Sequence, residues 1–173
     1  MDKQIVIEEY NPYWSTEFVI EKVKIKQALN NDLLPIEHIG STSVKGLGAK
    51  PILDIMIGVK NLTEVDKFIK PLKQIEYEYV FHKEFPGRRF FRKGQWRAGT
   101  HHLHIYEYKS EFWINNILFR NYLIDYPDIK LQYNELKKDL SVRYKSDRVG
   151  YTNAKAPFIT NVISLAKETY NNG

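Results

Sequence analysis

The stretch that decides the fold is residues 37–59, EHIGSTSVKGLGAKPILDIMIGV. One short apolar run ends at Gly40, and a second, residues 52–59, carries Asp54 in its interior. Gly40 is followed by three hydroxyl residues, Ser41, Thr42 and Ser43. Such a turn leaves backbone N–H groups and hydroxyls free for phosphate oxygens, and a carboxylate on the next strand can hold a cation against the same phosphates. The pattern predicts an anion site, although an ordinary turn with a helix N-cap has the same local sequence.

The composition indicates a single folded domain over residues 1–173. This length is enough to bury a core without a second domain. The hydrophobic content of 43% and the aromatic content of 14% argue against disorder, and no apolar run approaches the length of a membrane span. The first residues, Met1-Asp2-Lys3, do not begin a signal-peptide pattern, so we expect a cytoplasmic protein with no membrane segment. Because the chain has no cysteine, disulfides, thiolate metal sites and cysteine nucleophiles are excluded.

The charge of the chain is compatible with anionic partners. The formal net charge is +5, which suits nucleotides, phosphorylated small molecules or RNA. The lysines are scattered along the chain and do not form one tract, which is also typical of an ordinary solvated surface. Charge alone therefore does not choose a partner.

Hydrophobic periodicity predicts an α/β (α+β) fold, with a mixed sheet first and a helical layer last. We expect strands at residues 5–10, 36–39, 52–59, 77–81, 89–92 and 101–106. We expect helices at residues 13–29, capped by Asn11, then at 62–72, from 112 to Pro127, at 128–144, and from 147 or 151 to 170. Residues 1–107 would then form a sheet-rich core and residues 108–173 the helical layer.

Several motifs, taken together, resemble a known family. They are EHIGSTSV-x-GL-x-AKP-x-x-DI from residue 37, PGRRFFRKG at 86–94, HHLHI at 101–105, LFRNYL at 118–123 and DR-x-x-Y-x-x-AK-x-x-FI at 147–159. The Gly-Ser turn followed by a strand aspartate resembles the nucleotidyltransferase superfamily, and the full set resembles the GrpB family within it, in order and spacing. The resemblance covers nearly the whole chain. It implies a nucleotidyltransferase-like fold in which Gly40 and Ser41 bind nucleotide phosphates.

Asp54 is the candidate metal-binding and catalytic carboxylate. An unpaired carboxylate in a buried strand costs several kcal/mol or shifts its pKa, so a metal ion, backbone donors or a basic group such as Lys50 must compensate it. The superfamily resemblance implies a second carboxylate two residues later, but Met56 stands there, and a thioether is a poor ligand for a hard cation. The GrpB pattern also has an apolar residue at this position.

Two histidines are the candidate replacements for the missing acid. His102 and His104 alternate on one face of a predicted strand. The superfamily resemblance implies a third metal-binding group from a strand in this part of the chain, so we expect at least one of the two histidines beside Asp54. The predicted cofactor is a divalent metal ion, Mg²⁺ or Mn²⁺ first, with Zn²⁺ or Fe²⁺ as alternatives that imidazole ligands favour. Glu37 and His38 could also contribute, and each histidine could instead be a hydrogen-bonded structural residue.

Basic residues supply further candidates for binding an anion. Alternation in the predicted strand at 89–92 places Arg88 and Arg92 on the side opposite Phe91, and Lys93 follows. Arginine and lysine here could contact phosphate, or they could form an exposed hairpin. Lys155 is a candidate ligand residue in the last helix, where Asp147 and Arg148 are predicted to anchor the helical layer by ion pairs.

These features support three hypotheses. The first is a metal-dependent nucleotidyl or phosphoryl transfer enzyme that acts on a nucleotide or a phosphorylated small molecule, with Asp54 anchoring the metal. The second is a non-catalytic nucleotide-binding regulatory module, which Met56 favours. The third is RNA binding through the basic surface, which predicts a steep salt dependence. Some GrpB-like domains are joined to a dephospho-coenzyme A kinase, which implies coenzyme A or adenylate metabolism.

Overall fold

The computed structural model describes residues 4–95 and 98–171. The first three residues, on which the expectation of a missing signal peptide rests, lie outside this range. The helices are α1 (Tyr13–Ala28), α2 (Ile69–Gln74), α3 (Glu111–Asp125), α4 (Pro127–Arg143) and α5 (Arg148–Asn171). The strands are β1 (Ile36–Ile39), β2 (Leu53–Val59), β3 (Tyr77–Val80), β4 (Arg89–Gln95) and β5 (Ala98–Glu107). Two 3₁₀ helices cover Ser41–Ser43 and Leu62–Phe68.

The five strands form one mixed sheet in the order β1-β2-β5-β4-β3. The central pair, β2 and β5, is parallel, whereas the other three pairs are antiparallel. The chain crosses from β2 to β5 through α2 and the β3–β4 hairpin. Parallel neighbouring strands need such a long connection, because the chain must return to the same end of the sheet. The predicted α/β class with a mixed sheet is confirmed.

Residues alternate between the two faces of the sheet and so separate the core from the site. On one face, buried residues of β2 and β5 such as Ile55 and Leu103 pack with Trp14 and Ile25 of α1 and Leu72 of α2. On the other face, Asp54 of β2 is in register with His102 of β5. The apolar face is the main core, and the polar residues therefore face the opposite side.

The three C-terminal helices cover part of this second face. Trp113 and Ile117 of α3 pack on Ile39, Met56 and Tyr106 of the sheet. The aromatic rings of Tyr133 in α4 and Phe158 in α5 stack with their centroids 5.2 Å apart and join those helices. The helices are thus held beside the end of β1 and the start of β2. No helix in the described part of the chain is long and apolar enough to span a membrane.

The predicted first strand is the main error in the sequence-based assignment. Residues 5–10 form no regular strand, and a single bridge joins Glu8 to Ala49 through two backbone hydrogen bonds. The reason is that Ile5 and Ile7 pack against Leu140 and other residues of the helical layer instead of lying along the sheet. The segment therefore ties down the loop that follows the Gly-Ser turn.

The turn and cap residues behave largely as their sequence predicts. Asn11 accepts a hydrogen bond from the Tyr13 N–H at 2.9 Å, but α1 begins at Tyr13 and Pro12 takes the N-cap position, so the predicted cap lies one residue too early. Asn61 and Glu64 form a capping box, but the predicted helix at 62–72 begins as the 3₁₀ segment and becomes α-helical only at Ile69. Both segments still bury the predicted apolar face.

Candidate functional site

The site begins where β1 ends. Ile39 of β1 pairs with Asp54 of β2, so the next residue, Gly40, lies beside the aspartate side chain. Gly40 has φ +70° and ψ −172°, a region that is essentially restricted to glycine. A Cβ at this position would lie 2.8 Å from Asp54 Oδ2. The Gly-Ser bend therefore packs directly against the side chain of Asp54. This close approach requires glycine at position 40, because any side chain there would collide with the carboxylate.

The hydroxyl groups of the bend have separate partners. Thr42 Oγ1 lies 2.9 Å from Nε2 of His38, and Ser43 Oγ donates to the Gly40 carbonyl at 2.5 Å. His38 is buried and stacks on Phe18, so it does not face Asp54. Burial lowers the pKa of His38 to about 4. These contacts hold the bend in shape, and Ser41 and Thr42 both line the cavity described below.

Both predicted histidines lie beside Asp54. Asp54 Oδ1 is 3.0 Å from His104 Nε2 and 3.4 Å from His102 Nδ1. The side chain of Asp54 remains 30% exposed, so the carboxylate is more open than its apolar neighbours in the strand suggest. The parallel register of β2 and β5 produces this cluster, since both histidines point to the same face as Asp54.

The electrostatics of the cluster favour the ionised carboxylate. Burial raises the pKa of Asp54, but hydrogen bonds from His102 and His104 outweigh this effect and hold the pKa below its ordinary value. Burial lowers the pKa of His104, and its hydrogen bond to Asp54 opposes that shift only in part. The carboxylate is therefore charged. A neutral His104 that donates its Nε2–H to Asp54 has its lone pair on Nδ1, so metal ligation at this cluster requires the other tautomer, with Nε2 deprotonated.

One carboxylate and two imidazoles are a donor set that a divalent metal ion accepts. One ligand atom from each of Asp54, His102 and His104 lies within 4.8 Å of the others. Imidazole nitrogens suit Mn²⁺, Fe²⁺ or Zn²⁺ better than Mg²⁺. The residues present therefore fit a borderline cation. They are less suitable for Mg²⁺, a hard cation that prefers carboxylate ligands.

Met56 cannot take the place of a second carboxylate. It is fully buried and packs in an apolar cluster with Ile39, Tyr106 and Trp113. Its partner in the parallel register is His104, which does face Asp54. The position that the superfamily resemblance assigns to a second acid is thus part of the contact between the sheet and α3.

Three lysines line a cavity of about 120 Å³ that ends at Asp54. They are Lys50 from the loop before β2, Lys137 from α4 and Lys155 from α5. Lys137 Nζ donates to Ser41 Oγ at 2.9 Å and to the Gly48 carbonyl. The cavity therefore joins the Gly-Ser bend to the helical layer through basic side chains.

The lysines weaken one another's charge. Burial lowers the pKa of Lys137 to about 7, and its neighbours Lys155 and Lys50 add to the effect. Burial and Lys50 lower the pKa of Lys155 to about 8, against the opposing effect of Asp54. Burial also lowers the pKa of Lys50. Three lysines beside one carboxylate therefore hold less than their full charge before an anion binds, and an anion bound in the cavity would favour their protonated forms.

Lys137 is a residue of the candidate site that the sequence analysis did not identify. It lies four residues after Tyr133 and three before Leu140, on the buried face of α4, and it is 2% exposed. A lysine inside an apolar stripe is the signal that could have identified it, because lysine is almost never fully buried without a partner.

The basic residues around β4 do not share one location. Lys93 lies on the core face of the sheet, where its Nζ contacts Glu21 Oε2 at 2.9 Å. Arg92 pairs with Glu78 at 3.1 Å and lines a cavity beyond His102. Arg88 lies over the rings of two phenylalanines, in another cavity beside Tyr106. None of the three lines the lysine cavity, so their anion-binding role stays a prediction.

Two further residues, Arg120 and Asp147, anchor the helical layer. Arg120 of α3 donates to Glu37 Oε2 at 2.7 Å and to the His38 carbonyl at 2.9 Å, which ties α3 to β1. Asp147 accepts a hydrogen bond from the Gly150 N–H at 2.9 Å. This contact makes it the N-cap of α5, a different anchoring contact from the ion pair that was predicted.

Comparison with known proteins identifies relatives of similar length. Residues 4–164 match the family model described as GrpB protein. The glutamate-rich protein GrpB of Alkalihalophilus pseudofirmus is 32% identical over 165 residues, which are 93% of this chain and 95% of the relative. The crystal structure of conserved protein GrpB from Enterococcus faecalis has a TM-score of 0.86 and 37% identity, covering 95% of this chain and 99% of that one.

More distant similarity extends to longer proteins. A dephospho-CoA kinase of Mycolicibacterium paratuberculosis is 23% identical over 175 residues, covering 86% of this chain and 42% of the kinase. The Cid1 poly(U) polymerase, in a crystal structure with bound MgATP, has a TM-score of 0.56 and 14% identity over 79% of this chain and 45% of the polymerase. This second likeness is one of fold alone. The chain therefore belongs to the GrpB family, and its fold is similar to that of the Cid1 poly(U) polymerase.

Proposed function

We propose that this protein binds a nucleoside polyphosphate, or a similar phosphorylated small molecule, and transfers a nucleotidyl or phosphoryl group from it. The observation that carries the proposal is the convergence of Lys50, Lys137 and Lys155 on the cavity that also contains Ser41 and Asp54. The lysines come from three separate elements, so the fold has brought together charges that the sequence holds far apart. Such a concentration of like charge is costly unless an anion occupies it.

Each group around the cavity has a role that follows from its chemistry. Lys137 and Lys155 would contact phosphate oxygens as point charges, and the Ser41 hydroxyl with its neighbouring backbone N–H groups would donate hydrogen bonds. An incoming polyanion favours the protonated lysines, whose pKa values burial has lowered. Catalysis of this kind depends mainly on positioning and charge neutralisation, which a preformed cavity supplies.

A divalent cation would be held by Asp54, His102 and His104. When bound, it would neutralise charge on the phosphate undergoing transfer. The chain's own contribution is an Asp54 carboxylate that its histidine contacts keep ionised before the ion binds and that is held against Gly40. Metal binding would replace these histidine contacts with ligation by the same imidazoles. The similarity of fold to a polymerase that binds MgATP is consistent with this arrangement.

A second candidate function is a nucleotide-binding module without catalysis. The observation in its favour is Met56, which packs in an apolar cluster where a second metal-binding acid would stand in a two-metal mechanism. Such a module would keep the lysine cavity and bind the ligand without turnover. Ligand binding would then act by changing the stability or the exposed surface of the protein.

Calorimetric titration with inorganic tripolyphosphate and with ATP, each with and without Mn²⁺, tests the proposal. We expect both ligands to bind the parent protein, and we expect Lys137→Met and Lys155→Met to weaken binding at least about tenfold, since each removes a buried charge next to the ligand. Lys138→Met is the matched control, because Lys138 is 42% exposed, adjoins Lys137 in α4 and contacts Glu9 instead of the cavity. Absence of binding to the parent protein, or an equal loss in the control, would contradict the proposal.

Product analysis then separates the two candidate functions. Turnover of a nucleotide that Asp54→Asn abolishes supports the transferase, whereas tight binding without turnover over a broad panel of acceptors supports the module. A third outcome is preferential binding of a single-stranded RNA oligonucleotide. In that case log K falls steeply with log salt, by about 0.7 per neutralised phosphate. That result would favour RNA as the partner over a small nucleotide.

A further inference from the structure

A second cavity adjoins the lysine cavity on the side of α3 and α5. It has a volume of about 340 Å³ and shares Ser41, Asp54 and Lys155 with the first. Because three residues belong to both walls, one ligand can extend from the lysine cavity past Asp54 into the second space. The two cavities therefore adjoin at these three residues and have chemically different walls.

The second cavity has mainly apolar walls. Phe119 of α3 and Ile159 and Ile163 of α5 form one side, and Asn115 and Asn116 of α3 add amide groups. A pocket with apolar and aromatic walls and a few polar groups is typical of a site for the organic part of a ligand. Phosphate groups would gain little binding free energy from these apolar walls, whereas a planar ring would bury its faces against them.

The two asparagines differ in their hydrogen bonding. The Asn116 amide donates to the Phe112 carbonyl at 2.8 Å within α3. The Asn115 Oδ1 atom is shielded from water and has no hydrogen-bond partner among the residues that the structure describes. A shielded acceptor without a donor is costly, and a ligand N–H group would remove that cost once the amide turns towards the cavity that Asn115 lines. Asn115 is therefore the amide available to recognise a ligand.

We propose that the cavity between α3 and α5 binds the nucleobase of a nucleoside triphosphate whose phosphates occupy the lysine cavity, with Asn115 accepting a hydrogen bond from the base. The inference rests on the proposed function and adds the part of the ligand that the lysines do not contact. It follows that the base contributes to affinity independently of the phosphates. Inorganic tripolyphosphate and a nucleoside triphosphate then separate the two contributions.

Calorimetric titration of the full chain with tripolyphosphate, ATP, CTP, GTP and UTP, all at one Mn²⁺ concentration, tests the inference. We expect at least one nucleotide to bind about tenfold or more tightly than tripolyphosphate. Ile163→Trp fills the second cavity and should remove this advantage while leaving tripolyphosphate binding unchanged. Ser164→Trp places the same ring on the exposed side of α5 and should preserve both affinities.

Asn115→Leu provides a second variant of similar size that leaves the cavity open. We expect it to weaken the preferred nucleotide about tenfold and to bind tripolyphosphate as the parent does, which also verifies folding. If tripolyphosphate binds and no nucleotide binds more tightly, the nucleobase inference is wrong and the polyphosphate proposal stands. If neither tripolyphosphate nor any nucleotide binds, the proposed function itself fails.

Discussion

Gly40 connects backbone conformation with the position of the candidate catalytic carboxylate. Its angles are open almost only to glycine, and Asp54 occupies the space where a side chain would begin. A change at this residue would therefore move the bend away from β2 or displace the carboxylate. Either movement would separate Ser41 from Asp54.

We predict that Gly40→Ala destabilises the protein by about 2–3 kcal/mol, because backbone strain and a contact with Asp54 act together. Gly46→Ala is the matched control. Gly46 also has a positive φ, +83°, but an added Cβ would meet only Lys130 Nζ at 3.5 Å. The control should cost about 1 kcal/mol. Urea denaturation measures both, and equal losses would contradict the close approach to Asp54.

Lys137 should make stability depend on pH. Burial lowers its pKa to about 7 in the folded chain, from 10.5 in the reference state. Between these values the unfolded chain holds a proton that the folded chain has lost, so the free energy of unfolding rises with pH across about 7 to 10.5. Below pH 7 both states are protonated, and the buried charge costs the folded protein its full penalty.

We therefore predict that the stability of the parent relative to Lys137→Met increases by about 1–3 kcal/mol from pH 6.5 to pH 9.5. Both proteins are compared by urea denaturation at each pH. Lys138→Met has no buried charge to remove and should differ from the parent by a constant amount. A difference between the parent and Lys137→Met that does not change with pH would show that Lys137 keeps an ordinary pKa.

At the scale of the elements, the parallel pairing of β2 and β5 brings the candidate metal ligands together. Asp54 is in register with His102, and His104 lies two residues further on the same face. A slip of one residue would turn both histidines towards the core. The close-packed apolar face of the same strands opposes that slip, because it would place Leu103 and Ile105 on the polar side.

We predict that Mn²⁺ or Zn²⁺ raises the thermal midpoint of the parent protein, since a ligand of the folded state stabilises it. His104→Ala should abolish this increase, because it removes a donor next to Asp54. His82→Ala is the control, since His82 contacts Glu84 and lies outside the cluster. An equal metal-induced increase in the parent and in His104→Ala would rule out a metal site at Asp54.

Helix α5 carries Lys155 into the site, and its N-terminus is held by Asp147. We predict that Asp147→Ala costs about 1 kcal/mol through loss of the N-cap, whereas Asp147→Asn, which also caps well, costs much less. Chemical denaturation distinguishes the two variants. A large loss in Asp147→Asn would indicate that the negative charge matters, as in an ion pair, more than the cap.

At the scale of the whole molecule, the candidate site lies between the sheet and the helical layer. The loop after β1 supplies Ser41 and Lys50, whereas α4 and α5 supply Lys137 and Lys155. The main apolar core lies on the opposite face, with α1 and α2. A ligand in the lysine cavity would therefore link parts of the structure that the main core does not join.

We predict that tripolyphosphate slows amide hydrogen exchange in the loop at residues 40–50 and in the α4 and α5 segments that line the cavity. Helices α1 and α2 should change little, because they pack on the other face of the sheet. Exchange followed by mass spectrometry measures each segment. Uniform protection over the chain, or protection confined to α1 and α2, would place the ligand elsewhere.

Local sequence determined most of the secondary structure and part of the site. Apolar periodicity and turn residues identified all five strands of the sheet, because these signals act over a few residues. The spacing of the Gly-Ser bend, Asp54 and the two histidines also indicated one cluster. Alternation within a strand places His102 and His104 on one face, and the family resemblance placed that strand near Asp54.

Only the tertiary structure decided which basic residues share the cavity. Lys137 and Lys155 come from helices that are distant in sequence from Ser41, and their convergence depends on how the helical layer packs on the sheet. The same packing placed Lys93 beside Glu21 on the core face and kept residues 5–10 out of the sheet. Local sequence patterns do not encode these positions. Periodicity indicates which face of a helix or strand is apolar, but contacts between distant elements decide which element that face packs against.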